Sequence, residues 1–378
     1  MLYRAIGLMS GSSLDGLDIV CAAFQENGGK WSFEILAADC LPYDEIWTSR
    51  LSRATSLSAL DYQLLHIDYG HYLGEQVNSF IRANGLEFKV ALLASHGHTS
   101  FHLPEKRMTA QLGDGASIAA VTQLPVVSDL RAMDVALGGQ GAPIVPVGEQ
   151  LLFSDYDYYL NLGGIANLSL KEGFRAFDVC PANRVLNLLA AEAGVDYDDK
   201  GYLASSGTVN HHLLNELNSL EYYNRPFPKS LANDFGTDII YPLIRQYALS
   251  VYDSLATYVE HICIQIVKPL TKSISDHTGK NAEPQITGAA NEEPVMKKML
   301  ITGGGAFNSF LVEQLIKKTE AIGVSVIVPD DQIVKYKEAL IMGLIGVLRW
   351  REETNVLSSV TGARRDSVGG AFWMGQEG

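Results

Sequence analysis

Apolar residues along this chain first come in short strand-like runs and then recur at helical spacing, and that order appears twice. Ile6 to Met9 is a short apolar run that enters the small polar loop Ser10-Gly11-Ser12-Ser13. Asp15-Gly16 then turns the chain into a second apolar run, Leu17 to Phe24. Two such runs joined by a turn containing Asp-Gly predict a β-hairpin. Beyond the turn Asn27-Gly28-Gly29, the stretch Trp31 to Ala38 alternates, with Trp31, Phe33 and Ile35 on one side, as a third strand does. Two helices are expected next. The clearer takes Ser58 as N-cap with Asp61 at the third position, ends at Gly85, and turns Leu60, Leu64, Ile67, Val77 and Ile81 toward a core. Val90 to Ala94 then reads as a short buried strand, Ala116 to Val121 as a helix and Pro125 to Val127 as a strand.

The second half follows the same plan. Tyr158 to Leu162 is a strand, Gly163-Gly164-Ile165-Ala166-Asn167 a Gly-containing turn, Leu168 to Leu170 the returning strand, and Gly173 to Phe177 a third run. After helical segments come a strand at Lys298 to Thr302, a helix from about Phe307, a strand at Ser325 to Val328 and a helix over Tyr336 to Trp350. The order β-β-β-α-β-α-β thus occurs twice and predicts a duplicated domain with a cleft between the halves. Ser273 to Pro294 lies between periodic segments and reads as a flexible excursion.

Composition narrows the function classes. At 378 residues the chain is too long for one small core, so two domains are the natural expectation. The formal net charge of −14 and the lack of any dense Lys/Arg run exclude a nucleic-acid surface, which needs clustered cations. The longest apolar stretch, Ala339 to Leu348, is too short to span a bilayer, and Met1 to Met9 carries no export-type segment. Cys21, Cys40, Cys180 and Cys263 are scattered, so neither a disulfide framework nor a zinc ribbon is indicated. A cytoplasmic-type protein is expected.

Polar clusters fall at element ends. In the first hairpin loop, Gly11, Ser12 and Ser13 offer open backbone N–H groups and two hydroxyls that suit a phosphate. Asp15 and Asp18 would lie near the same anion, which calls for a bridging cation. Ser95-His96-Gly97-His98-Thr99, with His102 four residues on, has a spacing that zinc can use, although hydrogen bonding to a polar ligand suits it better. Asp114 can cap a helix. Asp129 and Arg131 follow a strand directly, either as a structural ion pair or as a ligand clamp, and strand ends in α/β sheets are where ligands are held. Gly303-Gly304-Gly305 at a strand-to-helix junction would let a flat ring or ribose lie against bare backbone, whereas no P-loop sequence occurs. Asp178, placed at the end of the third run before Pro181, is a candidate base for a kinase reaction, or else an N-cap for a helix over Val185 to Ala191. Glu338 either shares that site or faces solvent in a helix's first turn.

With these residues in hand, the chain resembles the anhydro-N-acetylmuramic acid kinase family of the sugar kinase/Hsp70/actin superfamily. The likeness runs nearly end to end through GLMSGSSLDGLD, SHGHTSFHLP, QLGDGASIA, VSDLRAMDVALGGQGAP, NLGGIANLSL, FDVCPAN, TGGGAFN, KEAL and the tail SVTGARRDSVGG. It implies an α/β fold of two duplicated ribonuclease H-like domains with an interdomain cleft: residues 1–140 with about 355–378, and residues 141–354. By position, Gly11, Ser12, Ser13, Leu14, Asp15, Gly16, Leu17 and Asp18 resemble the loop for the ATP phosphates and Mg²⁺, with Asp15 or Asp18 anchoring the metal directly or through water. Gly163, Gly164 and Asn167 look like the second phosphate loop, and Gly303, Gly304, Gly305 and Asn308 like the adenosine motif. Asp178 matches the family's catalytic aspartate, with Arg131 and Glu338 as further catalytic candidates. His96, His98, Thr99, Asp129 and Asn183 are the candidate sugar contacts.

The reaction so implied is double: water opens 1,6-anhydro-N-acetylmuramic acid at C1 while O6 takes the γ-phosphoryl of ATP, giving N-acetylmuramic acid 6-phosphate and ADP. A homodimer acting on a small amino sugar, with no nucleic-acid or membrane partner, is implied as well. The alternatives are a related kinase or ATPase with another sugar or small acid, and a nucleotide-binding sensor without turnover. Three departures from the commoner family pattern occur. His98 stands where Gln is expected, Cys180 and Ala182 replace glycines, and Ser230-Leu231-Ala232 replaces Ser-Thr-Gly.

Overall fold

The computed structural model describes residues 1–11, 14–226, 229–231, 234–278 and 296–375. The chain divides into two compact units, Met1–Ser154 with Tyr336–Gly378, and Asp155–Lys335. These joins fall at 154/155 and 335/336, against 140/141 and 354/355 from the sequence.

In the first unit the strands are β1 (Leu2–Ser10), β2 (Gly16–Asn27), β3 (Lys30–Pro42), β4 (Leu92–Leu103), β5 (Met108–Leu112) and β6 (Val126–Ser128). In the second they are β7 (Tyr158–Leu162), β8 (Ile165–Leu170), β9 (Arg175–Pro181), β10 (Lys297–Thr302) and β11 (Val324–Ile327), and β12 (Ala371–Trp373) returns to the first. The first sheet runs β12-β6-β4-β1-β2-β3 with β5 paired to β4, and the second runs β11-β10-β7-β8-β9. In both, the first three strands form an antiparallel meander and the first also pairs in parallel with the fourth. Apart from the added edge strands the two sheets share one order and one set of directions. This is the duplication that the repeated pattern predicts, in the two-sheet α/β form that the family resemblance implies.

β1 reads as a continuous apolar run because both of its faces are covered. One face packs Ile6 and Leu8 with Tyr69, Leu73 and Val77 of the helix Ala59–Ala83. The other lies against the helix Asp331–Trp350, where a Cβ on Gly7 would stand 1.9 Å from the carbonyl oxygen of Ala339. Gly346 meets Ala94 of β4 in the same way, its added Cβ falling 2.7 Å from the Ala94 Cβ. The helix therefore rests directly on the strands.

Several expected elements differ in extent. The helix Ala59–Ala83 is capped by Ser58, whose side chain accepts from the Asp61 N–H, as the sequence indicated. Its buried stripe is Leu65, Tyr69, Leu73, Val77 and Phe80, however, while Leu60, Leu64 and Ile67 are 70%, 51% and 41% exposed. The aromatic Tyr69 and the small Gly70 and Gly74 carry the packing that the aliphatic pattern assigned to the neighbouring face. β4 does not stop at Ala94 but continues through the histidine cluster to Leu103, because β5 pairs with it from His98 onward. The last long helix starts at Asp331 rather than Tyr336, which puts Glu338 two turns in rather than in the first turn. Ser273 to Thr278 ends the helix Val251–Thr278, and the remainder of the expected excursion lies outside the described residues. Among the described residues no helix is long and apolar enough to cross a membrane.

Lys337 and Glu149 of the first unit form an ion pair at 2.6 Å with side chains only 2% and 5% exposed. Each charge is held out of water chiefly by the other, so losing one strands its partner. Lys337→Met is expected to lower unfolding free energy by about 3–5 kcal/mol, read from urea unfolding. The double variant Lys337→Met/Glu149→Leu should recover most of that. A single-variant loss below about 1 kcal/mol, the range of exposed pairs, would show that the pair is solvated.

Candidate active site

In the first unit the β1–β2 hairpin forms as expected, with Ser10 opposite Leu17 and Met9 opposite Asp18. Gly11, Leu14, Asp15 and Gly16 are at its turn, Leu14 with a left-handed φ of 61°, while Ser12 and Ser13 lie outside the described residues. Asp15 is exposed, whereas Asp18 is half-buried on β2. Burial pushes the Asp18 carboxyl up to about 6. A hydrogen bond with Cys40 holds it down in part, and the charges of Glu338 and Asp15 raise it further. A carboxylate desolvated among other carboxylates favours a cation beside it.

Glu338 is half-buried and acts electrostatically on two groups, raising Asp18 and helping to keep Arg131 protonated. Burial pulls the Arg131 guanidinium down to about 10, against Glu338 and Asp134, so it stays charged at neutral pH. Arg131 does not pair with Asp129. Its Nε donates to His96 Nε2 at 2.8 Å and its Nη1 to the Gly141 carbonyl at 2.6 Å. Arginine has no acceptor, so the His96 proton sits on Nδ1 and is donated to the Gly97 carbonyl at 2.9 Å. Burial, with the Arg131 charge adding to it, takes His96 down to about 3. It is a neutral positioning ring for Arg131. Asp129 instead accepts from the Ser128 hydroxyl at 2.8 Å and has a φ of 55°, a backbone setting that non-glycine residues rarely hold without a local reason.

His98 is buried and belongs to a separate chain of hydroxyls that sequence reading missed. Tyr43 donates to Ser10 Oγ at 2.8 Å, Tyr69 lies 2.5 Å from Tyr43, and Ser10 Oγ is 3.1 Å from His98 Nδ1. With the Tyr43 proton given to Ser10, Tyr69 donates to Tyr43. Burial lowers the His98 pKa, which keeps the ring neutral. Thr99 is the next residue on the strand and is exposed, and His102 bonds Thr109 at 3.0 Å. The three histidines thus have three different partners rather than a common centre. Asp134, which follows the Asp129–Arg131 cluster in sequence, had no role assigned to it from sequence. Only 1% exposed, it takes the Thr361 hydroxyl on Oδ1 at 2.6 Å and the Gly141 N–H on Oδ2 at 2.7 Å, tying the GGQGAP loop to the tail.

In the second unit Asp178 stands inside β9, not at its end, and Ala182 rather than Asp178 holds the N-cap position of the helix Asn183–Ala191. β9 is the edge of its sheet, and its register with β8 shifts between Ala166 and Asn167. Asp178 lies opposite Asn167, whose amide donates to Asp178 Oδ1, and the Leu231 N–H donates to Oδ2 at 2.7 Å. Its main chain is fixed too: the N–H donates to the Lys229 carbonyl at 3.1 Å, and the Tyr222 hydroxyl donates to its carbonyl at 2.6 Å. Burial raises the Asp178 carboxyl, and the Leu231 and Asn167 bonds offset part of that. The result is an oriented carboxylate with a proton affinity above the ordinary range.

The remaining second-unit candidates frame the β7–β8 turn. The Gly163 carbonyl accepts from the Asn183 N–H, the Gly164 carbonyl from Ala182 and Arg184, and the Asn183 amide donates to Leu162 O at 3.0 Å. Gly303, with φ 82°, approaches Asn161 so closely that an added Cβ would fall 2.4 Å from its Oδ1. Gly304 and Gly305 form one helical turn, and Asn308 caps the helix Ser309–Glu320 by accepting from the Leu311 N–H at 3.0 Å. Asn183 and Asn308 therefore hold backbone in place.

Among the described residues no three His, Cys, Asp or Glu side chains gather as a protein-only metal cage. Mg²⁺ bound with a phosphate substrate needs only one or two carboxylates, phosphate oxygens and water. Asp18, with Asp15 nearby in charge, fits that lighter requirement.

Comparison with known proteins identifies the family of the whole chain. The family model described as anhydro-N-acetylmuramic acid kinase matches residues 3–375. The anhydro-N-acetylmuramic acid kinase of Francisella tularensis subsp. novicida is 30% identical over 382 residues, covering 95% of each chain. That of Haemophilus influenzae is 31% identical over 393 residues, covering 97% of each. Among solved structures, the activator of the 2-hydroxyisocaproyl-CoA dehydratase from Clostridium difficile with bound ADPNP aligns at 14% identity and a TM-score of 0.41, covering 90% of this chain and 93% of that one.

The raised Asp18 pKa sets a pH test. A carboxyl whose folded pKa, about 6, exceeds its ordinary value of 3.8 favours the fold fully below pH 4, and that contribution is lost as pH rises through 6. In chelator-treated buffer, Asp18→Asn should stabilise the protein at pH 8 by on the order of 2 kcal/mol. The gain should vanish toward pH 4. A gain that does not change with pH in thermal melts would show that Asp18 is not desolvated.

Proposed function

The chain belongs to the anhydro-N-acetylmuramic acid kinase family, and on that premise we propose that it opens 1,6-anhydro-N-acetylmuramic acid with water and phosphorylates O6 at the expense of ATP. The observation that carries this reading is Asp178, a partly buried carboxylate with one oxygen on Asn167 and the other on Leu231. Both bonds leave lone pairs free, so the side chain can accept a proton without changing rotamer.

Asp178 takes a proton from water as the water oxygen bonds to C1 of the sugar and the C1–O6 bond breaks. The electron pair of that bond stays on O6, which bonds to the γ-phosphorus of ATP as the bond to the β,γ-bridging oxygen breaks and ADP departs. Arg131, held in plane by His96 and Gly141, has donors left for a carboxylate or a developing negative charge. His98, kept neutral by burial, offers a ring nitrogen to a polar group of the sugar. Glu338 balances Arg131. Mg²⁺, held by Asp18 and Asp15 with water, would neutralise charge on the nucleotide phosphates. The Gly11–Asp18 turn, the Gly163-Gly164 turn and the Gly303–Gly305 turn are the proposed nucleotide contacts. A cytoplasmic location and a homodimer belong to the same proposal, the dimer being readable by sedimentation equilibrium.

A coupled ADP-release assay with ATP, Mg²⁺ and 1,6-anhydro-N-acetylmuramic acid tests the reading, and release only with N-acetylglucosamine would assign a different sugar. Asp178→Asn should retain ATP binding while kcat falls by roughly 10²–10⁴-fold, the usual loss for a general base. Because burial raises the Asp178 pKa, activity should fall with acid at a higher pH than an ordinary aspartate would set. Retained turnover in the variant would place the base elsewhere.

A further inference from the structure

Behind β9, on the side away from the Asp178 carboxylate, the second unit contains a cavity of about 280 Å³. Its walls include Phe177 and Val179, the two strand neighbours of Asp178, whose side chains alternate to the opposite face. Four cations line it, Arg225, Lys229, Lys268 and Lys272, and no carboxylate does so among the described residues. This is unusual in a chain with a formal net charge of −14.

The cations are held in place from the protein side. Lys229 Nζ donates to the Tyr222 carbonyl at 3.1 Å and lies 4.3 Å from the centre of the Tyr222 ring, and Lys268 Nζ donates to the Tyr223 carbonyl at 3.1 Å. Arg225 pairs with the exposed Glu221 at 2.9 Å. Burial lowers the Lys229 pKa, and repulsion from Lys268 and Arg225 lowers it further, so the cluster is near enough for its charges to oppose one another. A bound anion would relieve that repulsion. Gln265 and Pro269 of the helix Val251–Thr278 complete the lining. The cavity thus gathers four cations on one lining.

We propose that this cavity binds a small phosphate-bearing anion and that its occupancy acts on Asp178 through Tyr222, Lys229 and Leu231. The volume is at or below the low end of sites for drug-sized ligands, about 300–1,000 Å³, and suits phosphate alone or phosphate on one small polar group. The mechanical link is short. Lys229 lines the cavity and accepts the Asp178 N–H on its own carbonyl, Leu231 two residues on holds Oδ2, and Tyr222 beside the cavity holds the Asp178 carbonyl. The regulatory half of the proposal rests on Asp178 being the base, and the binding half does not.

Calorimetric titration with inorganic phosphate, and separately with N-acetylglucosamine 6-phosphate, of protein saturated with Mg²⁺ and a non-hydrolysable ATP analogue tests binding apart from the nucleotide site. Saturable binding of either is expected, the stronger of the two telling free phosphate from a sugar phosphate. Lys268→Gln and Lys272→Gln should each weaken it at least about tenfold, the second without touching the Tyr223 bond. Folding of both variants is checked by thermal melts. No saturation below about 10 mM, or binding equally strong in both variants, would overturn the site. A bound anion near Asp178 should shift the acid limb of kcat to higher pH in the wild type and not in Lys272→Gln. An unmoved limb with binding intact would overturn the coupling. If no anhydro sugar is turned over at all, the calorimetry still reads the cavity, so failure of the kinase reading is distinguishable.

Discussion

The approach of the helix Asp331–Trp350 to β1 is the constraint on which the first unit depends. With no room for a side chain at Gly7, the Ala339 carbonyl sits against the strand and fixes both the height and the rotation of that helix turn. Its two preceding residues then have settled directions. Lys337 is buried onto Glu149, and Glu338 is brought within electrostatic range of Asp18 and Arg131. A larger residue at position 7 would lift the helix, and the ion pair and the charge balance of the site would move with it. Packing and chemistry here are one set of contacts.

The two principal carboxylates reach similar ends by different means. Asp18 is raised by burial and by other carboxylates, with one hydrogen bond from Cys40 to offset them, so its charged form is short of compensation. Asp178 is raised by burial alone and is steadied on both oxygens by neutral donors. The first environment suits a group that meets a cation, and the second suits one that must receive a proton and keep its orientation. Their surroundings, rather than their shared chemical type, separate the two roles.

Much of the fold was legible because strand alternation, turn chemistry and the repeated element order are local signals. The hairpins, the Ser58 cap and the duplicated meander all appear where residue pattern placed them. What escaped depends on contacts distant in sequence. The exposed Leu60, Leu64 and Ile67 follow helical spacing as well as the buried stripe does, and only the partner surface decides which face is covered. The histidine cluster could be seen, but not that Tyr43 and Ser10 would orient His98 while Arg131 took His96. Asp178 could be found as a carboxylate beside a strand, yet its support comes from Leu231, 53 residues further along the chain, in a segment with no periodic pattern of its own. The position of β9 at the sheet edge was not readable either, since no residue of the strand itself declares which neighbour it lacks.

That edge position has a further consequence. In an interior strand the residues beside Asp178 would be locked between two ladders, and the carboxylate could shift only with the sheet. β9 pairs on one side with β8 and, where Asp178 stands, is met on the other by the irregular segment at Lys229 to Leu231. A loop is softer than a strand, because fewer of its backbone groups are fixed by a repeating ladder. The orientation of the carboxylate is therefore half rigid, through Asn167 in β8, and half adjustable, through the Leu231 N–H. Strand alternation places the carboxylate on one face and the cation-lined cavity on the other, with the adjustable segment touching both. An edge strand backed by a loop is thus the arrangement in which a change of charge on one face can reach the Asp178 carboxylate on the other without unfolding anything between them.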